Sequence, residues 1–242
     1  MLEKLNPHHD ALVAEAEFDE VAANYRQTLD QAISISGEDG RYFANQRVAW
    51  LRSLLDHRGF TCESIMDFGC GTGLGIEFLQ ESFHPSSITG IDVSSESLKI
   101  AEKTYPEPSI EFYHPDHYRS TGKFDLVHAN GVFHHIDRKD RQEAILYIQQ
   151  SLRPGGYCAI WENNPWSLPA RYCMKVNPFD QNAKMITARQ LRTLCQAAGL
   201  QTISTYYCFV FPRVFSPLRR FEKYINRMPL GAQYLVLSHR PT

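Results

Sequence analysis

The sequence lacks most of the signals that would set it apart from ordinary globular chemistry. Its six cysteines, at 62, 70, 158, 173, 195 and 208, form no C-x-x-C pair. None lies with histidines at zinc-ligand spacing, so no metal centre is expected. Several fall inside apolar runs and read as buried, reduced thiols, which suits a reducing cytoplasm. No apolar run reaches the ~18 residues expected of a transmembrane helix. Residues 1–10 are polar and lack the apolar core of a signal peptide. Neither sign of charge dominates: 25 Lys and Arg stand against 27 Asp and Glu, net −2. That balance leaves no electrostatic footprint for nucleic acid. There is no internal repeat and no low-complexity tract. What remains is 242 residues, 43% hydrophobic and 21% charged, enough for one large buried core with additions.

One further absence is informative. Ser64 to Gly75 reads SIMDFGCGTGLG, a short apolar strand running into a glycine turn. Behind it Ile76, Phe78, Leu79 and Phe83 recur at helical spacing. Strand, glycine turn and helix start make a backbone cradle, with free N–H groups that favour negative charge. The dinucleotide fingerprint G-x-G-x-x-G fails here, because Leu74 and Ile76 stand where its last glycine belongs.

Residues 1–59 are rich in helix formers. Phe18, Val21, Ala22 and Tyr25 fit one helical face, and Phe43, Val48, Leu51, Leu54 and Leu55 a second, with a turn at Gly37–Gly40. This segment is too short to bury its own apolar faces and is expected to form a helical cap on the core. From 64 the texture changes. Strands are expected at 64–69, 87–93, 110–114, 124–130 and 157–163, with helices at 74–83, 95–104 and 139–151. Helix 187–198, capped by Thr187, then strands 201–211 and 233–239 complete the chain. The alternation predicts an α/β fold with a doubly wound, mostly parallel sheet covered on both faces.

Asp67-Phe68-Gly69-Cys70-Gly71-Thr72-Gly73 resembles the first motif of class I S-adenosylmethionine-dependent methyltransferases. The order of elements is similar too, and implies a Rossmann-like, seven-stranded sheet whose last strand is antiparallel. On that reading the core spans 60–242, with insertions at about 164–186 and 212–232. Phe124-Asp125-Leu126-Val127 running to His134-His135-Ile136, and Leu152-Arg153-Pro154-Gly155-Gly156, resemble later motifs of the small-molecule branch. Phe18-Asp19-Glu20-Val21-Ala22-Ala23-Asn24-Tyr25 is similar to a segment of its ubiquinone- and menaquinone-biosynthesis members, with Arg26 in place of their usual Asp.

The resemblance implies S-adenosyl-L-methionine as cofactor and S-adenosyl-L-homocysteine as product. Gly69, Cys70, Gly71, Thr72 and Gly73 would wrap the amino-acid tail and ribose, with Asp67 opening the motif. Asp92, with Val93 at the end of the second strand, would accept both ribose hydroxyls; a helix cap is its plainer role. Asp116 would hold the adenine amino group, Asn130 and Gly131 would line the methionine end, and Tyr25 would lie over the cofactor. Tyr42 and Arg47 are candidates for the cofactor carboxylate, Glu162 and Asn163 for the substrate side. His135, with His134 beside it, is the candidate general base; holding the loop is the alternative. The D/N-P-P-Y/F motif of DNA amine methyltransferases is missing after the fourth strand, where Ala129-Asn130-Gly131-Val132 stands.

In the 212–232 link, Val214, Leu218, Phe221, Ile225 and Met228 fit one helical face, and Arg219, Arg220, Lys223 and Arg227 the other. This is either a substrate lid or a basic amphipathic helix giving peripheral membrane contact. The expected activity is therefore metal-independent methyl transfer to a small molecule, lipid-linked or prenylated if that helix meets a membrane. An NAD-linked oxidoreductase and a noncatalytic cofactor-binding module are the competing readings.

Overall fold

A computed structural model describes Asp19, residues 24–119 and residues 122–242. The helical face expected of Phe18, Val21, Ala22 and Tyr25 lies outside it, save for the backbone of Tyr25. That residue opens α1 (Tyr25–Ala32), which is followed by α2 (Gly40–Asp56). Asp39 caps α2, its carboxylate accepting from the Tyr42 N–H at 2.7 Å. Ala44, Val48, Leu51 and Leu55 recur at helical spacing and are buried against the core.

The core alternates β1 (Ser64–Phe68), α3 (Ile76–Phe83), β2 (Ser87–Ile91), α4 (Ser95–Thr104), β3 (Ile110–Tyr113), β4 (Phe124–Asn130), α5 (Arg141–Ser151) and β5 (Leu152–Asn163). Next come α6 (Leu168–Val176), α7 (Ala188–Ala197), β6 (Gln201–Cys208), α8 (Glu222–Ile225) and β7 (Gln233–His239). The seven strands form one sheet in the order β3-β2-β1-β4-β5-β7-β6. β7 lies antiparallel to both β5 and β6, and the other pairings are parallel. Expected strand and helix positions agree with these elements to within a few residues, except that β5 begins at Leu152 rather than at the expected 157, and Thr187 caps α7 in a full capping box with Gln190.

The strand composition explains the two-sided core. In β1, Ile65 belongs to one buried layer and Met66 to the other. A strand covered on both faces reads as an apolar run, not an alternation. One buried carboxylate fixes where that run begins. Asp125, on β4, accepts from the Glu63 and Ser64 N–H groups at 2.8 Å each and from Ser64 Oγ at 3.0 Å. Arg153 completes its shell. The sheet reverses its winding between β1 and β4, so a crevice opens at their carboxyl ends, beside β2.

One expectation needs correction. The 212–232 link does not form a long amphipathic helix. Residues Arg213–Phe221 make 3-10 turns with a break at Phe215 and Pro217 inside, and α8 has only four residues. Proline removes a backbone donor there. Glu222, which breaks the basic run in sequence, is buried, and its carboxylate accepts from the N–H groups of Phe209, Val210 and Phe211. That anchor also ends β6 at Cys208, short of the expected 211, where Phe209 turns to φ +64. One of the four basic residues turns inward: Arg219 pairs with Glu38 at 2.8 Å, whereas Arg227 stays exposed and donates to Ser204 at 2.5 Å.

Asp125→Ala strands two backbone donors at the entry to β1. It should destabilise the chain by roughly 1–3 kcal/mol in urea unfolding; an unchanged midpoint contradicts the anchoring role.

Candidate functional site

The crevice is a cavity of about 1180 Å³ walled by the glycine turn, the ends of β2, β4 and β5, and residues from α1, α2, α6 and the 208–233 segment. It exceeds the ~300–1,000 Å³ common for a single ligand.

The glycine turn needs its glycines for separable reasons. Gly69 has φ +74, and a Cβ there would meet Val132 Cγ2 at 2.3 Å. Gly71 has φ +52, and a Cβ there would meet no atom of the described residues within 4 Å. Gly69 is therefore closed by packing, whereas Gly71 faces open space on the cavity wall. The Gly71 N–H donates to Asp92 Oδ2 at 2.7 Å, and the Ser94 N–H to Asp92 Oδ1 at 2.9 Å. Asp92 lines the cavity. It is not the cap of α4: Ser94 is, accepting from the Ser97 N–H. Asp19, from the N-terminal motif, accepts from Ser94 Oγ at 2.6 Å and the Glu96 N–H at 3.0 Å. Burial raises the Asp92 carboxyl pKa, although the Ser94 and Gly71 bonds pull it down.

Other expected residues divide by position. Gly69, Gly71, Thr72, Asp92, Val93, Asp116, Asn130, Gly131, His134 and His135 all line the cavity. Asn130 Oδ1 is buried there with no hydrogen-bond partner among the described residues, a ready acceptor for a ligand donor. Asp116 is exposed in a 3-10 turn after β3. Asp67, Cys70 and Gly73 lie off the wall, behind the turn. Asp67 Oδ1 bonds His128 Nδ1 at 2.7 Å, both side chains buried. Cys70 is buried with Gly90, where a Cβ would meet its sulfur at 2.9 Å, and a Gly73 Cβ would meet the Tyr105 ring at 2.8 Å. The Tyr25 side chain is outside the description. Arg47 donates to Gln233 Oε1 at 3.0 Å, and Tyr42 Oη accepts from Arg219 at 2.6 Å. Glu162 is turned away from the cavity, whereas Asn163 lines it.

The turning of Glu162 gives the two histidines different roles. Its carboxylate accepts from the Phe133 N–H at 2.7 Å and from His134 Nδ1 at 2.6 Å. On the other side His134 Nε2 meets Asp180 Oδ1 at 3.3 Å. Burial alone would lower the His134 pKa, but Glu162 and Asp180 together raise it to about 10. His134 is an imidazolium that holds the loop. His135 packs against it with the rings tilted by 47° and 4.2 Å between centroids, and its Nε2 lies 3.4 Å from the same Asp180 oxygen. Burial, then the His134 charge, push His135 down to about 3. His135 is neutral with a lone pair; His134 has none to offer.

Asp180 escaped the sequence reading. It lies in the 164–186 insertion, and only the fold brings it to the histidines. His128 also escaped, though it carried a signal: it and Asp67 are polar residues inside apolar strands and sit directly across from each other in the β1–β4 register. Ligand atoms of His134, His135 and Asp180 lie within 4.8 Å of one another.

The family of methyltransferase domains matches residues 66–158. Trans-aconitate 2-methyltransferase from Azoarcus is 28% identical over 166 residues, covering 66% of this chain and 64% of that protein. Phthiotriol/phenolphthiotriol dimycocerosates methyltransferase from Mycobacterium leprae is 29% identical over 107 residues, covering 42% and 38%. The chain thus spans less than two thirds of the length of either. Among solved structures, geranyl diphosphate C-methyltransferase from Streptomyces coelicolor shares the fold. Its TM-score is 0.66 at 12% identity, covering 97% of this chain and 99% of that one.

The histidine pair sets opposite pH dependences. His134 has a raised pKa, so the stability it contributes is complete below its ordinary 6.5 and lost as pH rises through about 10. His135 is depressed, so it costs stability as pH falls from 6.5 toward 3. Imidazole NMR should show His134 protonated at pH 8, and Glu162→Gln should lower its titration by roughly 1–3 pH units. A wild-type His134 titrating near 6.5 contradicts the assignment.

Proposed function

We propose that this chain, a member of the class I S-adenosylmethionine-dependent methyltransferases, binds S-adenosyl-L-methionine at the β1–β4 crevice and methylates a small molecule held beyond His135. The observation that carries this is Asp92. Its carboxylate is tied to the glycine turn through the Gly71 N–H and still borders the cavity. Open space at Gly71 and the unpaired Asn130 oxygen fit the same cofactor.

When bound, the cofactor supplies a sulfonium-activated methyl group. The chain's residues then have separate tasks. Asp92 accepts the ribose hydroxyls, in charge-assisted bonds worth roughly 1.5–3 kcal/mol each. Asn130 Oδ1 accepts from the ammonium of the amino-acid tail, near Gly131. Gly69, Gly71 and Thr72 pass their backbone along that tail, Val93 lines the ribose side, and Asp116 holds the adenine amino group. Asp67, Cys70 and Gly73 support the turn from behind. Tyr25, which the N-terminal motif assigns to the cofactor, covers it from outside. The fold's main contribution is placing donor and nucleophile together in a dry site, which offsets about 7–11 kcal/mol of barrier.

His135 takes the proton that the nucleophile loses as its electron pair goes to the methyl carbon. Asp180 positions the ring. The apolar wall formed by Leu29, Phe43, Met174 and Phe179 favours an acceptor with a lipid-linked or prenyl chain. The names of the Mycobacterium and Streptomyces relatives point to molecules of that kind. Residues 24–59 act as a helical cap over this acceptor side, together with the 164–186 insertion.

Calorimetry with S-adenosyl-L-homocysteine tests the cofactor assignment. The wild-type chain should bind it and not NADH, and Asp92→Ala should weaken it more than about tenfold, the loss of one charge-assisted bond. Binding of NADH alone would overturn the reading. Once an acceptor is in hand, His135→Ala should slow methyl transfer by roughly 10²–10⁴ with cofactor affinity kept; near-normal turnover removes His135 as base.

A further inference from the structure

The exposed apolar side chains are not scattered. Among the described residues, every large hydrophobic that is exposed, Leu146 excepted, is Ile35 or lies in 166–176 or 214–230. Trp166 is 71% exposed, Leu168 73% and Val214 78%. Single exposed hydrophobics need no explanation, but a contiguous group marks an interaction site.

These segments are contiguous. Asn164 Nδ2 donates to the Pro229 and Gly231 carbonyls at 3.1 and 2.8 Å, joining the start of the 166–176 segment to the end of 214–230. Arg213 packs on Gly37 and donates to its carbonyl, joining the 214–230 segment to Ile35. Ile35, Trp166, Leu168 and Leu230 all line the cavity. The apolar group is therefore the rim of the cavity mouth.

Exposed charge on the two longer segments is of one sign, and of the acids beside Ile35, Glu38 is paired with Arg219 and Asp39 caps α2. Arg171, Lys175, Arg213, Arg220 and Lys223 are exposed on these segments. The one acid within 164–176 and 213–230 is Glu222, buried with its carboxylate on three backbone N–H groups. The whole chain carries net −2, so this basic face is a local feature. A second copy docking here about a two-fold axis would bring like charges together. An anionic bilayer accepts both the apolar side chains and the cations.

We propose that the cavity rim docks on an anionic membrane surface and that the acceptor enters the cavity from the bilayer. This deepens the methyltransferase reading by naming the source of its acceptor. It replaces the single amphipathic helix with a composite surface built from three segments. Val214 and Phe215 insert, and Arg220 and Lys223 meet lipid headgroups.

The test is sedimentation of the 242-residue chain with phosphatidylcholine vesicles, with and without phosphatidylglycerol. Affinity for the anionic vesicles should exceed that for the neutral ones by at least about tenfold and fall with added salt. V214S/F215S and R220E/K223E should each reduce it by a similar factor. Neither pair lines the cavity, so S-adenosyl-L-homocysteine affinity should stay unchanged, which shows that the variants fold. Wild-type protein that binds S-adenosyl-L-homocysteine but neither vesicle overturns the docking proposal and leaves the cofactor reading standing. Vesicle binding without cofactor binding does the reverse. A concentration-dependent dimer abolished by V214S/F215S, with no vesicle binding, would assign the rim to self-association and also overturn the proposal.

Discussion

The site depends on a carboxylate held by a backbone turn. Asp92 ends β2, and the Gly71 N–H reaches it across the crevice. That contact requires the β1–α3 turn to bend back toward β2, which in turn requires left-handed backbone at Gly69 and Gly71. Val132 leaves no room for any side chain at Gly69. The Asp67–His128 pair fixes the same turn from below. Around Asp92, packing sets the backbone on one side and leaves the ligand side open, so the cradle precedes its ligand.

The same economy governs the far end of the cavity. One buried acid, Glu162, orients the loop by accepting from Phe133 and His134. With Asp180 it keeps His134 charged, and that charge helps keep His135 neutral. Adjacent identical residues thus occupy opposite protonation states. The difference comes from which carboxylates each ring meets, and one of these, Asp180, arrives on an insertion. Glu222 repeats the device at the mouth, where one carboxylate gathers three N–H groups and shapes the rim.

Much of this was legible in the sequence, and the rest was not for identifiable reasons. Strand and helix positions followed from apolar runs and helical spacing, because a doubly covered sheet imposes both. Asp92 and the glycine turn were legible because a short βαβ unit fixes their relation. Glu162 misled because strand alternation gives its position but not the inward rotamer that His134 selects. Asp180 was silent because its partners come from another segment. The 212–232 link failed as a helix because its apolar spacing is helical, while Pro217 and the buried Glu222 carboxylate override it. Local periodicity carries no information about a side chain that a distant backbone recruits.

The central claim is that the β1–β4 crevice holds the cofactor through Asp92, the glycine turn and Asn130. Titrating isotope-labelled protein with S-adenosyl-L-homocysteine and following amide NMR signals tests it most directly. The account predicts that the Gly71 backbone amide and the Asn130 side-chain amide shift saturably and together, while amides of the exposed 214–230 rim do not. Saturable shifts confined to the rim, or elsewhere with Gly71 and Asn130 unmoved, would contradict it.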